Sequence, residues 1–303
     1  MFLAVLCGLA LLAAAAGCGE DDAAQGGRLD VVASATFLAD IAQQVAGDRF
    51  AVRALVPRDA DLHSFELTPR DLTDIAGADL FIVNGAGLER TLEEAVRAAG
   101  GDVRVVEASA GLTTRTPQSG EPGGTAHEPD PHFWLDPTLV ESYVATIRDA
   151  FAAADPDGTA VYEANAAAYV DELRALDHWI AAQVETVPAD QRLLVMNHVS
   201  HGYYADRYGF AVVGAVIPSV GTAEEPTARQ LAELTRAVRE TGAKAVFVEL
   251  GQSPDLATQI AAETGITVVD DLRDHSLSGP GGGAATYIAM MKYDTRKIVE
   301  ALR

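Results

Sequence analysis

Residues Asp157–Val187 read DGTAVYEANAAAYVDELRALDHWIAAQVETV. Within them Tyr162, Ala166, Tyr169, Leu173, Leu176, Ile180 and Val184 recur at three- and four-residue steps, the period of one helix face. No Pro or Gly follows Gly158 until Pro188. A helix of roughly 28 residues would be about 42 Å long at 1.5 Å per residue. That is long enough to run past two lobes. On pattern alone the same stretch also reads as an ordinary long surface helix, so its surroundings must decide.

Upstream, LDVVASA from Leu29 has the composition of a strand, and FLADIAQQVAG has a helical period closing at Gly47. FAVRALV (Phe50–Val56), DLFIVNG from Asp79 and DVRVVEAS from Asp102 are further strand candidates. Thr68-Pro69-Arg70-Asp71 has the form of a capped helix start, and LERTLEEAVRAAG is amphipathic and ends at Gly100. Between Thr113 and His132 the chain is rich in Gly, Pro and Ser without an apolar period, which predicts a loop. Helical segments follow from Pro137 to Ala154, with a break at Asp155-Pro156. Downstream of Pro188 the alternation resumes. The strand candidates are RLLVMNH, FAVVGAVIP, KAVFVEL and GITVVDDL. The helix candidates are SHGYYADRYG, TARQLAELTRAVRETG, the segment starting at Ser253-Pro254-Asp255, and the C-terminal ATYIAMMKYDTRKIVEALR. Strand–helix alternation on both sides predicts two parallel-sheet α/β lobes joined by one long rigid linker helix. The expected organisation is an N-terminal lobe over residues 29–156, a linker helix over 157–187 and a C-terminal lobe over 188–303.

The chain has 303 residues, with 22 Lys+Arg against 44 Asp+Glu and a formal net charge of -22. A hydrophobic share of 49% argues against a disordered chain despite that charge. Nucleic acid is an unsuitable partner, because phosphate binding needs clustered Lys and Arg. Acidity suits solubility and concentrates cations near the surface. Two cysteines exclude a disulfide scaffold and a Cys-rich zinc module.

The N-terminus sets the compartment. Met1–Ala16, MFLAVLCGLALLAAAA, is apolar and then gives way to Gly17-Cys18 and the polar GEDDAAQGG. The run is shorter than the ~20 residues of a spanning helix and reads as a signal-peptide core. Ala15-Ala16-Gly17-Cys18 resembles a bacterial lipobox, with Cys18 as the acylated first residue of the mature chain. An ordinary secreted signal is the alternative. Residues 1–18 are then the leader and 19–28 a polar tether.

Four of the seven histidines follow strands or loops that end in comparable places: His63, His132, His198 and His275. In open parallel sheets ligands bind outside the carboxyl ends of the strands. Two imidazoles from each lobe could therefore converge on one point and close a tetrahedral zinc site. The gaps of 69, 66 and 77 residues are nothing like a local zinc finger. Taken singly, each His reads more readily as a surface residue.

The local contexts carry more. Asp61-Leu62-His63-Ser64-Phe65-Glu66-Leu67-Thr68-Pro69 resembles the D-P-H-x-Y-E-P-T-P segment of the metal-binding lipoproteins of zinc and manganese ABC transporters, the cluster A-I solute-binding family. Asp130-Pro131-His132-Phe133-Trp134-Leu135-Asp136-Pro137 resembles that family's D-P-H-x-W-L-D-P. HVSHGYYADRYGF from His198, TAEEPT from Thr222 and YIAMMKYD from Tyr287 resemble three further family segments in the same order. The resemblance covers residues 29–303 and implies that His63, His132 and His198 are metal ligands. The family's fourth ligand is usually an Asp. A count back without gaps from MMKY puts His275 there, and a shift of one residue puts Asp274 there instead. Asp274 could alternatively orient His275. The resemblance also implies that Glu249 stands behind the ligands and that Trp134 and Phe65 wall the site. His201 is expected at its rim and His178 at a surface or packing position. His127, in the long loop, is a weak candidate for gathering metal.

Imidazole suits zinc, whereas Mn²⁺ prefers oxygen ligands, so Zn²⁺ is the expected cargo and Mn²⁺ the alternative. The implied role is capture of Zn²⁺ between two lobes outside the cytoplasm, by a lipid-anchored monomer. Delivery follows to a membrane permease driven by its ATPase, with release through movement of a loop such as the His275 segment. A zinc hydrolase is a rival reading. Neither H-E-x-x-H nor G-x-S-x-G occurs, and four protein ligands leave no open position for substrate. A surface adhesin is a third reading. Protons compete for imidazole, so zinc affinity is expected to fall between pH 7 and about 5.5.

Overall fold

Apolar residues on both faces of a strand require cover on both faces, and this chain supplies it twice. In the computed structural model, which describes residues 28–90, 103–115 and 129–303 together with Leu92, Glu94 and Arg97, two four-stranded sheets form. The first contains β1 (Val31–Ala33), β2 (Val52–Ala54), β3 (Leu80–Val83) and β4 (Arg104–Glu107), in the order β2-β1-β3-β4. The second contains β5 (Leu193–His198), β6 (Ala211–Ile217), β7 (Ala245–Glu249) and β8 (Thr267–Leu272), in the order β6-β5-β7-β8. Every pairing is parallel. The side-chain alternation is legible in β3, where Leu80 and Ile82 face one core and Phe81 and Val83 another. Likewise Ala245 and Phe247 of β7 face the central core, and Val246 and Val248 face an outer one. Such two-sided burial is what parallel sheets need.

In both sheets the chain steps first to one side and then to the other. The crevices between β1 and β3 and between β5 and β7 are thus topological switch points, where such sheets bind ligands.

Eight α-helices are described. They are α1 (Thr36–Ala46), α2 (Pro69–Ala76), α3 (Pro137–Ala154), α4 (Thr159–Val184), α5 (Gly202–Tyr208), α6 (Ala228–Thr241), α7 (Asp255–Thr264) and α8 (Tyr287–Leu302). The predicted cap of α2 forms a full capping box between Thr68 and Asp71. Asp136 caps α3 by accepting from Thr138 N–H, with Pro137 at the first helical position. The predicted helix ending at Gly100 falls largely outside the described residues, and so do Cys18, the leader, most of the tether and His127.

The long helix α4 has 26 residues, a length of about 39 Å. A 3-10 turn over Pro156–Gly158 precedes it. It packs on α1 and α3 of the N-terminal lobe and on α5 and α8 of the C-terminal lobe. Its buried face is Tyr162, Ala166, Tyr169, Leu173, Leu176, Asp177, Ile180 and Val184. These are the residues of the apolar period, with one addition. Asp177 is buried because Arg207 of α5 binds it with two nitrogens, at 2.9 and 2.6 Å, and Tyr208 donates to it at 3.1 Å. At the α1 terminus Gly47 has φ 59, and a Cβ there would come within 2.6 Å of the Asn165 side chain on α4. The central core is continuous from Val31 and Phe37 through Leu173 to Phe247 and Leu302. The linker helix is thus a shared wall of both lobes.

Candidate metal centre

The four histidines reach one point from four different segments. Asp61 shapes the loop after β2, its Oδ1 accepting the His63 N–H at 3.0 Å. Asp130 repeats this device, its Oδ1 accepting the His132 N–H at 3.0 Å. A 3-10 turn over Phe133–Leu135 follows His132. It is held from the other lobe by Tyr287 of α8, whose hydroxyl donates to Trp134 O at 2.6 Å. His198 is the last residue of the central strand β5. His275 follows β8, and Trp134 Nε1–H fixes its segment by donating to Asp274 O at 2.6 Å.

One ligand atom from each of His63, His132, His198 and His275 lies within 4.8 Å of all the others. Nε2 of His63 is 3.1 Å from Nε2 of His275, and Nε2 of His132 is 3.4 Å from that of His63 and 3.3 Å from that of His198. A tetrahedral ion with metal–nitrogen bonds near 2.0–2.1 Å has an edge of about 3.3 Å. The carboxylates explain which nitrogen points inward. His132 Nδ1 is 2.8 Å from Asp130 Oδ1, and His275 Nδ1 is 2.7 Å from Asp274 Oδ1. An ionised carboxylate only accepts, so these Nδ1 atoms carry the proton and the Nε2 lone pairs face the centre. His198 Nδ1 lies 3.0 Å from Glu249 Oε1, but the pair is not aligned as a hydrogen bond. Inward lone pairs packed at this distance repel one another unless a cation sits among them.

Electrostatics agree with that reading. Burial pushes the His63 and His132 imidazoles well below their ordinary range, and neighbouring imidazoles add to the effect. Burial also opposes protonation of His275, but the adjacent Asp274 carboxylate and the more distant Glu249 and Asp61 outweigh it, so His275 is raised. Burial raises Asp274, yet charge and a hydrogen bond from His275 bring it down to about 2. Asp61, Asp130, Glu249 and Asp274 thus stand as a layer of carboxylates behind the cluster of rings. Asp274 belongs to this outer layer, and the ring that joins the cluster is His275.

Trp134 walls the site, with its ring centroid 5.1 Å from His132 and 5.4 Å from His275. Phe65 is half-buried and packs on the central core. His178 is exposed on α4. The rim expected for His201 is a correction: that ring is buried, 2.8 Å from Ser200 Oγ and 3.9 Å from Asp274 Oδ2. Burial depresses it to about 4. The next residue starts α5, whose own burial carries His201 inward. Asp61 and Asp130 were missed as partners of the rings. The signal was the repeated Asp-x-His spacing. A cleft of about 270 Å³ opens beside His63 between Leu88, Arg90 and Pro131 of one lobe and Ser219, Thr222 and Glu224 of the other.

The family profile described as zinc-uptake complex component A, periplasmic (ZnuA) matches residues 31–301. The chain belongs to that family. It is 36% identical over 291 residues to the manganese-binding lipoprotein MntA of Halalkalibacterium halodurans, covering 95% of this chain and 94% of that protein. It is 30% identical over 310 residues to the manganese ABC transporter substrate-binding lipoprotein PsaA of Streptococcus anginosus, covering 100% and 96%. The periplasmic zinc binding protein TroA from Treponema pallidum has the same fold, with a TM-score of 0.82, 25% identity and coverage of 91% and 99%. The ZnuA-family chain is thus a substrate-binding protein of a metal ABC transporter, with two parallel sheets and a long linker helix. Proteins of this kind work with a membrane permease and its ATPase. Among the described residues no helix is long and apolar enough to cross a membrane.

Proposed function

We propose that this chain captures Zn²⁺ outside the cytoplasm through His63, His132, His198 and His275 and delivers it to its permease. The observation that carries this reading is the set of Nε2 separations between 3.1 and 3.4 Å, close to the tetrahedral edge of a nitrogen-ligated zinc ion. Relatives with manganese in their names make Mn²⁺ the competing cargo. The donor set favours zinc, because the inward atoms are nitrogens while the carboxylates stand one layer behind. Glu249 supports His198 in that outer layer. Four protein ligands also leave no position for a water nucleophile, which favours a carrier over a hydrolase. Cys18 is the proposed lipid anchor, residues 1–18 its leader and 19–28 its tether. The lobes are taken as 29–156 and 188–303, with 157–187 between them, in a monomer.

Competition between the two metals for the metal-free protein, with free ion set by a chelator buffer, tests the cargo. Zinc is expected to bind at one ion per chain and to exclude manganese. Manganese bound as tightly as zinc would overturn the assignment.

A further inference from the structure

The loop after β2 belongs by sequence to the N-terminal lobe, yet its hydrogen bonds run to the other one. The last backbone bonds that tie it to its own sheet are Leu55 N–H to Ala33 O at 2.8 Å and Val56 N–H to Ser34 O at 2.9 Å. Beyond them, Arg58 Nη1 donates to Ser278 O at 2.6 Å. Asp59 N–H donates to Ser276 Oγ at 2.8 Å, and the Asp59 carboxylate accepts from the Arg273 guanidinium at 2.8 Å. Asp61 Oδ2 accepts from Thr222 Oγ1 at 2.7 Å. Among the described residues, the one hydrogen-bond-range contact of residues 57–67 with the rest of the N-terminal lobe is the pair of imidazoles His63 and His132, at 3.4 Å.

These bonds bracket His275. Arg273 lies two residues before it and Ser276 directly after it. Asp59 has φ 63, the left-handed region, which Asp enters more readily than most residues. On the opposite side Gly251 has φ 93, and a Cβ there would stand 3.0 Å from Asp59 O, so the close approach of the two lobes depends on a glycine. From behind, Asp294 of α8 accepts the Arg273 N–H at 2.9 Å. The 273–278 segment is thus held in its own lobe by Asp294 and against the N-terminal lobe by Trp134 and by Leu277 N–H, which donates to Thr36 Oγ1 at 2.9 Å, while it grips the His63 loop.

We infer that Asp59 is a positioning residue that couples His63 to His275, so that the loop carrying His63 moves with the 273–278 segment when metal enters or leaves. The inference rests on the proposed ligand set for its functional meaning, but the coupling itself is a property of the metal-free chain. It places the N-terminal break point of any opening motion near Pro57, upstream of His63, instead of at the lobe boundary.

Hydrogen–deuterium exchange on the full metal-free chain tests it. Arg273→Gln and Ser276→Ala alter only the C-terminal lobe. Each is expected to speed amide exchange across residues 57–67 by about 1.5- to 5-fold, the range of a partly exposed ion pair or single bond. Residues 129–136 should keep their rate. Asp59→Asn should speed exchange in residues 272–279 by a similar factor, and Asp59→Asn with Arg273→Gln should add little to either alone. Zinc dissociation into excess chelator should quicken in parallel, with an unchanged association rate. Unaltered exchange over 57–67 in both C-terminal variants would overturn the coupling. So would equal acceleration over 129–136, the mark of general loosening. Failure of the wild-type chain to bind zinc would instead overturn the cargo assignment and leave the exchange result standing.

Discussion

His132 illustrates how a single residue is prepared for the ligand role proposed for it. Its ring is fully buried and its Nδ1 is held at 2.8 Å by Asp130, so both the orientation and the tautomer are set before metal arrives. Asp130→Ala removes that acceptor and leaves the ring free to turn. Zinc affinity is expected to drop by about 10- to 100-fold, read by chelator competition, whereas His178→Ala on the exposed face of α4 leaves it unchanged. Equal effects of the two substitutions would contradict the site. The pH dependence also divides by residue. His275 is raised above the ordinary 6.5, whereas His63 and His132 are held well below theirs. A ring must be neutral to bind metal, so as pH falls His275 takes its proton first. Affinity should therefore begin to fall above about pH 6.5 with a slope near one proton, and steepen only in more acid solution. This separates in two the single fall toward about pH 5.5 that reference values imply. Zinc titrations between pH 8.5 and 5 measure the slope, and a slope of two or more beginning near neutrality would show that the rings titrate together. The histidines were legible because each stands in a recognisable run of neighbours. The burial of His201 was not, because it depends on which way α5 packs, and a turn of seven residues (Gly202–Tyr208) carries too short a period to say.

At the scale of elements, helices were read more fully than strands. The period of α4 named seven of its buried positions, since one face of a long helix repeats many times. The eighth, Asp177, is polar and is buried only because Arg207 and Tyr208 come to it from α5, a tertiary fact. Strands β1 and β2 contract to three residues each, Val31–Ala33 and Val52–Ala54, because pairing to a neighbour, and not apolar composition, decides where a strand stops. Leu173 lies at the centre of the α4 face and is fully buried in the core that spans both lobes. Leu173→Ala is expected to cost about 2–5 kcal/mol and to shift the whole unfolding curve. Urea unfolding followed by circular dichroism and by the fluorescence of Trp134 and Trp179 checks this. Two separated transitions, only one of them moved, would mean that the lobes unfold independently and that α4 is not a shared wall.

For the whole molecule, the shared core and the single helical connection constrain how metal can be released. A hinge that opened the lobes widely would have to bend α4 or separate it from α1 and α3 on one side or from α8 on the other. Bending breaks helix hydrogen bonds, and separation exposes Tyr169, Leu173, Leu176 and Ile180. Both disturb far more of the core than a shift of the two short segments that carry His63 and His275, of which the second is itself buried. Those segments already grip each other through Asp59, Arg273 and Ser276. Opening therefore reduces to a local displacement of joined loops against a stationary frame. A globule of this length has a radius of gyration of about 19 Å. It should change by less than about 3% between metal-free and zinc-loaded forms, since no domain closes around a hinge. Small-angle X-ray scattering on both forms reads this directly. A clear contraction on adding zinc would mean that α4 bends after all, and the loop-borne mechanism of release would have to yield to a hinge.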